Sequence, residues 1–264
     1  MRKLAQNTVS ILLIVALFMA SCSDANDQPG DPPSIPSTES MTVSFEGLNS
    51  SNKMNTVQQT ETNIAVAYLS AVAAGVILEA NFAIPKVLLS AAENQDAEYL
   101  GDGEWQWTYS ASGNQGSFSV RLTAQTKKEE VEWNFYVSTT STQVNWDDVL
   151  LFSGTSTYDG NEGTWNIFNP VTETQATSSS WELNESLAQV TLSVYDATGS
   201  EVISRIVYTA TESTKTVLIQ DLTEDTETTI EWDINTGAGS ITSTGYNNGE
   251  RACWDENLQD VACS

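Results

Sequence analysis

Among the side chains able to do chemistry, this chain of 264 residues has three cysteines, 35 acids and no histidine. Cys22 directly follows an apolar run and small residues, at the end of what reads as a secretory leader. Cys253 and Cys263 stand ten positions apart at the end of the chain, and one cysteine plus a pair is the count expected of an oxidised export product. The pair is read as a small disulfide ring that pins the terminus to the body and contributes about 2 to 3 kcal/mol by loop closure. The missing histidine removes the commonest general base and metal ligand, so a Ser-His-Asp, Cys-His or histidine-zinc site is impossible. Gly237-Ala238-Gly239 begins like a dinucleotide fingerprint but lacks the third glycine and the following helix, and it reads as a turn.

Carboxylates remain as candidate acids, bases and cation ligands. Six tryptophans have an acidic neighbour, in Glu104-Trp105, Glu132-Trp133, Trp146-Asp147, Trp181-Glu182, Glu231-Trp232-Asp233 and Trp254-Asp255. Neighbours on a strand point to opposite faces, so a sheet separates each acid from its indole, whereas glycoside hydrolysis needs two carboxylates converging across about 5 to 9 Å. Asp159-Gly160-Asn161-Glu162-Gly163 and the acids from Asp221 to Glu227 do not fit the twelve-residue calcium loop and read as solvated hairpin tips. The expectation is a protein that is not an enzyme, with no cofactor, no metal site and no catalytic residue; a ligand-binding site is not identifiable.

The elements that would carry these residues begin with a leader. Met1 to Ser21 has a basic start (Arg2, Lys3), an apolar run from Ile11 to Ala20 and small residues before a cysteine, the layout of a secretory signal. Phe18-Met19-Ala20-Ser21-Cys22 resembles a bacterial lipobox, with Met19 where leucine is usual; the resemblance implies cleavage before Cys22 and lipidation of its thiol. The acids at Asp24 and Asp27 resemble the export signals of surface lipoproteins in the Bacteroidota. Without the leader, eight bases face 35 acids, a net charge of −27. That charge repels phosphate, so nucleic acid is not an expected partner, and it suits a saline habitat in which ions screen self-repulsion. Residues 22–40 hold four prolines among Ser, Asp and Gly and read as a disordered tether.

A single domain is expected from 41 to 264, with Met41–Phe45 as a first strand and Leu48 to Met54 as a turn. Ile64 to Leu78 contains one polar residue, Ser70, and lies in a stretch without helix breakers from Val57 to Ile84. It reads as a helix starting near Thr60-Glu61-Thr62-Asn63, apolar all round and therefore enclosed, so that a charge at Val72 would be buried. Its flanks, Asn63 and Glu79, give no basic anchors for a membrane span. Pro85 is expected to end it, with a second short helix from Lys86 to Ala92.

From Glu104 onward the period becomes two. Trp105, Trp107 and Tyr109 alternate with Glu104, Gln106 and Thr108, and the same alternation recurs through Val131-Trp133-Phe135-Val137, Val190-Leu192-Val194 and Ile230-Trp232-Ile234. Asp159-Gly160-Asn161, Thr198-Gly199, Thr236-Gly237 and Asn247-Asn248-Gly249 punctuate these runs as turns. The fold class is mainly β with an N-terminal buried helix, an antiparallel up-and-down barrel, open or closed, wrapped around that helix.

The C-W-D-E-N-L-Q-D-x-x-C tail from Cys253, the W-x-W-x-Y strand at Trp105 and the G-T-W strand at Gly163 resemble a family of uncharacterised Bacteroidota lipoproteins over most of the chain after the leader. The resemblance implies localisation and architecture, and no activity. The expectation is a non-enzymatic lipoprotein of the outer membrane or cell surface, partnered with the membrane through its N-terminal lipid. Two alternatives accompany it: a carrier of an apolar ligand in the sheet's concavity, and glycan binding through tryptophans on the wet face.

Overall fold

The computed structural model describes residues 30–48, 62–113, 116–140 and 145–263. The leader, Cys22, the tether to residue 29, residues 49–54 of the expected turn, and Thr60 and Glu61 of the expected helix start lie outside the described residues.

Among the described residues, one α-helix, α1 (Asn63–Ala92), precedes fourteen strands. The strands are β1 (Glu98–Gly101), β2 (Glu104–Gly113), β3 (Gly116–Thr126), β4 (Val131–Thr140), β5 (Asn145–Ser156), β6 (Glu162–Phe168) and β7 (Gln175–Asn184). There follow β8 (Leu187–Tyr195), β9 (Val202–Thr211), β10 (Thr214–Asp221), β11 (Thr226–Asp233), β12 (Gly239–Ser243), β13 (Ala252–Trp254) and β14 (Asp260–Val261). Each pairs antiparallel with the next, so order in the sheet is order in the chain, as two-residue alternation with short turns dictates. The sheet wraps without closing. The helix packs against β2 near one end of the sheet and against β11, β12 and β13 near the other, and so stands as a wall in the gap.

The interior is aromatic. Trp107, Trp133, Phe135, Phe152, Trp165, Trp181, Trp232 and Trp254 are all buried, and the strand neighbours of Trp107, Trp133, Trp165, Trp181 and Trp232 are polar. Trp107 tilts on Trp133 at 5.9 Å between ring centroids; Phe135 stacks on Phe152 at 4.4 Å, Phe152 meets Trp165 edge-on at 5.3 Å, and Trp165 stacks on Trp181 at 5.5 Å. Such cross-strand pairs stabilise a sheet by about 0.5 to 1.5 kcal/mol each beyond their buried area. The indoles lie over glycines. Gly154 on β5 is in register with both Trp133 and Trp165, and Gly239 on β12 with both Trp232 and Trp254. A Cβ on Gly154 would stand 2.6 Å from Cε3 of Trp165, and one on Gly239 2.5 Å from Cζ2 of Trp254. Glycine inside a strand marks a bend or a close approach, and here an indole folds flat onto bare backbone where the sheet curves.

Four local expectations are corrected. Met41–Phe45 is not a strand: Thr38–Met41 is a 3-10 turn and the chain then runs extended beside the sheet without joining it. The tether does not reach residue 40. The compact unit starts at Pro32, Pro33 and Pro36 are buried, and Pro36 backs onto the β5–β6 turn at Gly160, because the prolines supply apolar surface as well as stiffness. Pro85 does not end the helix. It belongs to the buried stripe Ile64, Ala67, Ala71, Ala74, Leu78, Phe82, Pro85, Leu89 and Ala92, and burial of the turns on both sides outweighs the hydrogen bond that proline removes.

The fourth correction concerns enclosure. Only the stripe is buried; Val72 is 38% exposed, and the far side of the helix faces outward. A helix apolar all round has no polar face to mark its outside. Alanines at 67, 71 and 74 allow close approach to the sheet at the middle of the stripe, with Ile64, Leu78, Phe82 and Leu89 buried toward its ends and Leu69, Val72 and Val76 left outside.

Candidate functional site

Cys22, the residue expected to carry lipid, lies outside the described residues. Cys253 and Cys263 are joined, with their Cα atoms 5.3 Å apart. The ring they close does more than hold the terminus. The side chain of Asp260 inside it accepts the backbone N–H of Asn63 at 3.0 Å, and the Asn63 amide donates to the Cys253 carbonyl at 2.8 Å. Tyr246 donates to Asn63 Oδ1 at 2.7 Å. Thr62, the N-cap residue, makes no side-chain capping bond, so a carboxylate 197 residues later takes the first helical N–H, that of Asn63, and stands at the positive end of the helix dipole.

The other tail residues are equally occupied. Trp254 is buried and donates to the Gly237 carbonyl at 2.7 Å. One oxygen of Asp255 accepts the backbone N–H groups of Asn257 and Gln259, both at 2.9 Å, turning the chain so that Leu258, at φ 62°, is inserted into the core. The tail motif is thus accounted for by packing, turn and cap.

A second cluster joins the segment before α1 to the sheet, and sequence reasoning missed it. Lys215 on β10 is buried, and its Nζ donates to Ser44 Oγ at 3.2 Å. Tyr208 donates to the Ser44 carbonyl at 3.0 Å, and Trp232 Nε1 to the Glu46 carbonyl at 2.9 Å. Phe45 stacks on Trp232 at 6.4 Å and fits under the helix at Gly75, where a Cβ would meet its ring at 2.6 Å. Burial lowers the Lys215 pKa, partly offset by the charge of Glu46, and burial raises that of Tyr208. Ser44 Oγ already accepts from Lys215 and, at 3.4 Å, from the Glu46 N–H, so the lysine is satisfied as a donor and the pair reads as a clamp. No periodic signal marks Lys215; a lone lysine at an inward position of β10 is the only trace.

The outer face of β5 to β8 forms a groove of about 500 Å³. Its floor is a row of hydroxyls in register, Thr155, Thr164, Ser180 and Thr191, with Glu129, Glu130, Glu162 and Glu182 at the rim. Glu162 and Glu182 stand opposite each other across β6 and β7. Among the described residues, no three acids or cysteines are placed to hold a metal ion.

The acidic hairpin tips spend their oxygens on their own turns. Asp159 accepts from Thr157 at 2.6 Å and from the Asn161 N–H at 3.1 Å; Asp196 from Thr198 at 2.7 Å; Asp221 from Thr223 at 2.6 Å; and Asp233 from the Thr236 N–H at 2.7 Å. These bonds hold all four carboxyls below the usual range, led by the threonine hydroxyl at Asp159, Asp196 and Asp221 and by the Thr236 N–H at Asp233.

Seven of the eight tryptophans are buried and the eighth, Trp146, is half-buried, so no pair of indoles is exposed on the wet face. Alternation turns indoles in and acids out. The chain matches no protein family, no curated protein and no solved structure.

Proposed function

We propose that this protein is a non-enzymatic lipoprotein of the bacterial outer membrane, exposed at the cell surface and held there by acyl chains on Cys22, with a binding or structural role for the folded unit. The lipobox-like leader and the resemblance to Bacteroidota lipoproteins support the anchor and the location. The observation that carries the non-catalytic reading is the filled interior. A water-sized void inside the sheet would leave the surrounding side chains accessible, yet Trp133, Phe135, Phe152, Trp165 and Trp232 keep 0 to 1% of their surface. Ligand and substrate sites are concave volumes of roughly 300 to 1,000 Å³, and the one groove described above is on the outer face. The same filling argues against the carrier alternative.

Labelling cells with an alkyne fatty acid tests the anchor. The protein takes up label that survives denaturation, and Cys22→Ala takes up none. Label retained by Cys22→Ala, or absent from the parent, contradicts the proposal.

A further inference from the structure

Among the described residues, nothing covers the outward side of α1. Leu69, Val76, Ile84 and Val87 are 60 to 67% exposed, Val72 and Ile77 adjoin them at 38 and 39%, and alanines fill the spaces between. From Leu69 to Val87 this face is about 27 Å long at 1.5 Å per residue. Its flanking charges cancel, since Lys86 and Glu79 are paired at 2.7 Å. Contiguous apolar surface of this kind on a folded domain marks a contact site.

We infer that this face lies in the apolar margin of a lipid bilayer, as a second contact beside the Cys22 anchor; the inference rests on the anchor proposed above. Tethering decides the occupant. Ten residues separate Cys22 from Pro32, where the compact unit begins, so the chain reaches at most about 36 Å. The unit's radius of gyration is roughly 17 Å, and the Thr38–Met41 turn six residues past the leash packs on α1, so a leash of this reach is long enough to present the helix to the membrane. A surface held this close acts as a partner at high effective concentration, and a modest apolar face suffices to engage it. A second copy has no such advantage, and a formal charge of −25 on each chain opposes its approach. The same charge points to zwitterionic lipid over anionic lipid.

The helix lies along the bilayer and does not cross it. Its length and hydropathy would permit a span, but its first residue is bonded to Asp260 and Cys253, the Leu88 carbonyl accepts from Tyr109, and one stripe is buried throughout. Crossing would strip all of these. Interfacial helices sink about 5 to 10 Å with a polar side in water, and here the sheet takes the place of that polar side.

The test uses the acylated full chain in phosphatidylcholine vesicles, with Val76→Cys carrying an environment-sensitive fluorophore and Ser180→Cys, on the outer face of β7, as control. Cys22 is acylated and Cys253 is bonded to Cys263, so each variant has a single reactive thiol. Expected are a blue shift at position 76, loss of most iodide quenching there and strong quenching by brominated lipid, with no such change at 180. Iodide quenching at 76 equal to the control on vesicle-bound protein overturns the inference and leaves the anchor standing. Shielding of 76 that rises with protein concentration without lipid identifies a second copy as the occupant and also overturns it. If the chain proves not to be acylated, the anchor fails by itself; with Cys22→Ala added so that position 76 keeps the single thiol, the inference then survives only if vesicles of brominated lipid quench position 76, and falls if they do not.

Discussion

The backbone N–H of Asn63, the first residue of the helix, donates to the Asp260 carboxylate at 3.0 Å across 197 residues of sequence. The disulfide ring therefore holds one end of the element that fills the gap in the sheet. Asp260→Ala leaves that end uncapped and lowers stability by about 1 kcal/mol, the usual worth of an N-cap. Reduction of Cys253–Cys263 costs about 2 to 3 kcal/mol more through loop closure. Because both act on the same contact, their combined effect in denaturant titration is smaller than the sum. Full additivity would mean that ring and cap are independent.

Gly154→Ala tests the seating of indoles on glycine. Its methyl would meet the Thr164 carbonyl oxygen as well as the Trp165 ring, so strand and side chain must both shift, at a cost of about 1 to 3 kcal/mol or more. Gly245→Ala, with nothing within 4 Å of the added carbon, stays near the parent in thermal unfolding. Equal melting of the two variants would contradict the seating.

The two sides of the helix respond in opposite ways. Ala71→Asp puts a charge in the buried stripe with no partner and costs several kcal/mol, enough to unfold most domains. Val76→Asp, on the exposed side, changes stability by no more than about 0.5 kcal/mol. Circular dichroism melts separate them.

The hairpin carboxylates give stability a pH dependence of known sign. Their folded pKa values lie below the usual aspartate value of 3.8, so their contribution is present above that value and is lost as pH falls through the lower, folded ones. Neutralising other acids relieves repulsion at the same time, so the informative quantity is a difference. The stability gap between the parent and Asp196→Asn, measured by urea titration, narrows as pH falls through this range. A gap that does not change with pH would show that the Thr198 bond does not depend on charge.

The sheet was legible because its rule is local. Period two with glycine and asparagine turns fixes strand after strand, and with short turns the order follows the chain, as in the runs at Trp105, Trp133 and Trp232. The Cys253–Cys263 ring was legible by count and spacing. The helix's orientation was not: hydropathy over Ile64–Leu78 is uniform, and large and small apolar residues fall on both sides, Ile64 and Leu78 inward with Ala67, Ala71 and Ala74, and Ala73 outward with Leu69 and Val76. The reach of Asp260 to Asn63 and of Lys215 to Ser44 was also hidden, since both join segments far apart and neither repeats. Pro85 misled because a local penalty was weighed without the burial that offsets it.

The most direct measurement is the mass of the intact protein purified from cell envelopes, taken first under native conditions and then after denaturation. The account predicts a chain that begins at Cys22, with its acyl chains covalently attached, its one disulfide intact and no further lipid retained in stoichiometric amount under native conditions. A mass without acyl chains, or a native complex carrying a stoichiometric lipid that denaturation releases, would contradict a lipid-anchored protein with a filled core.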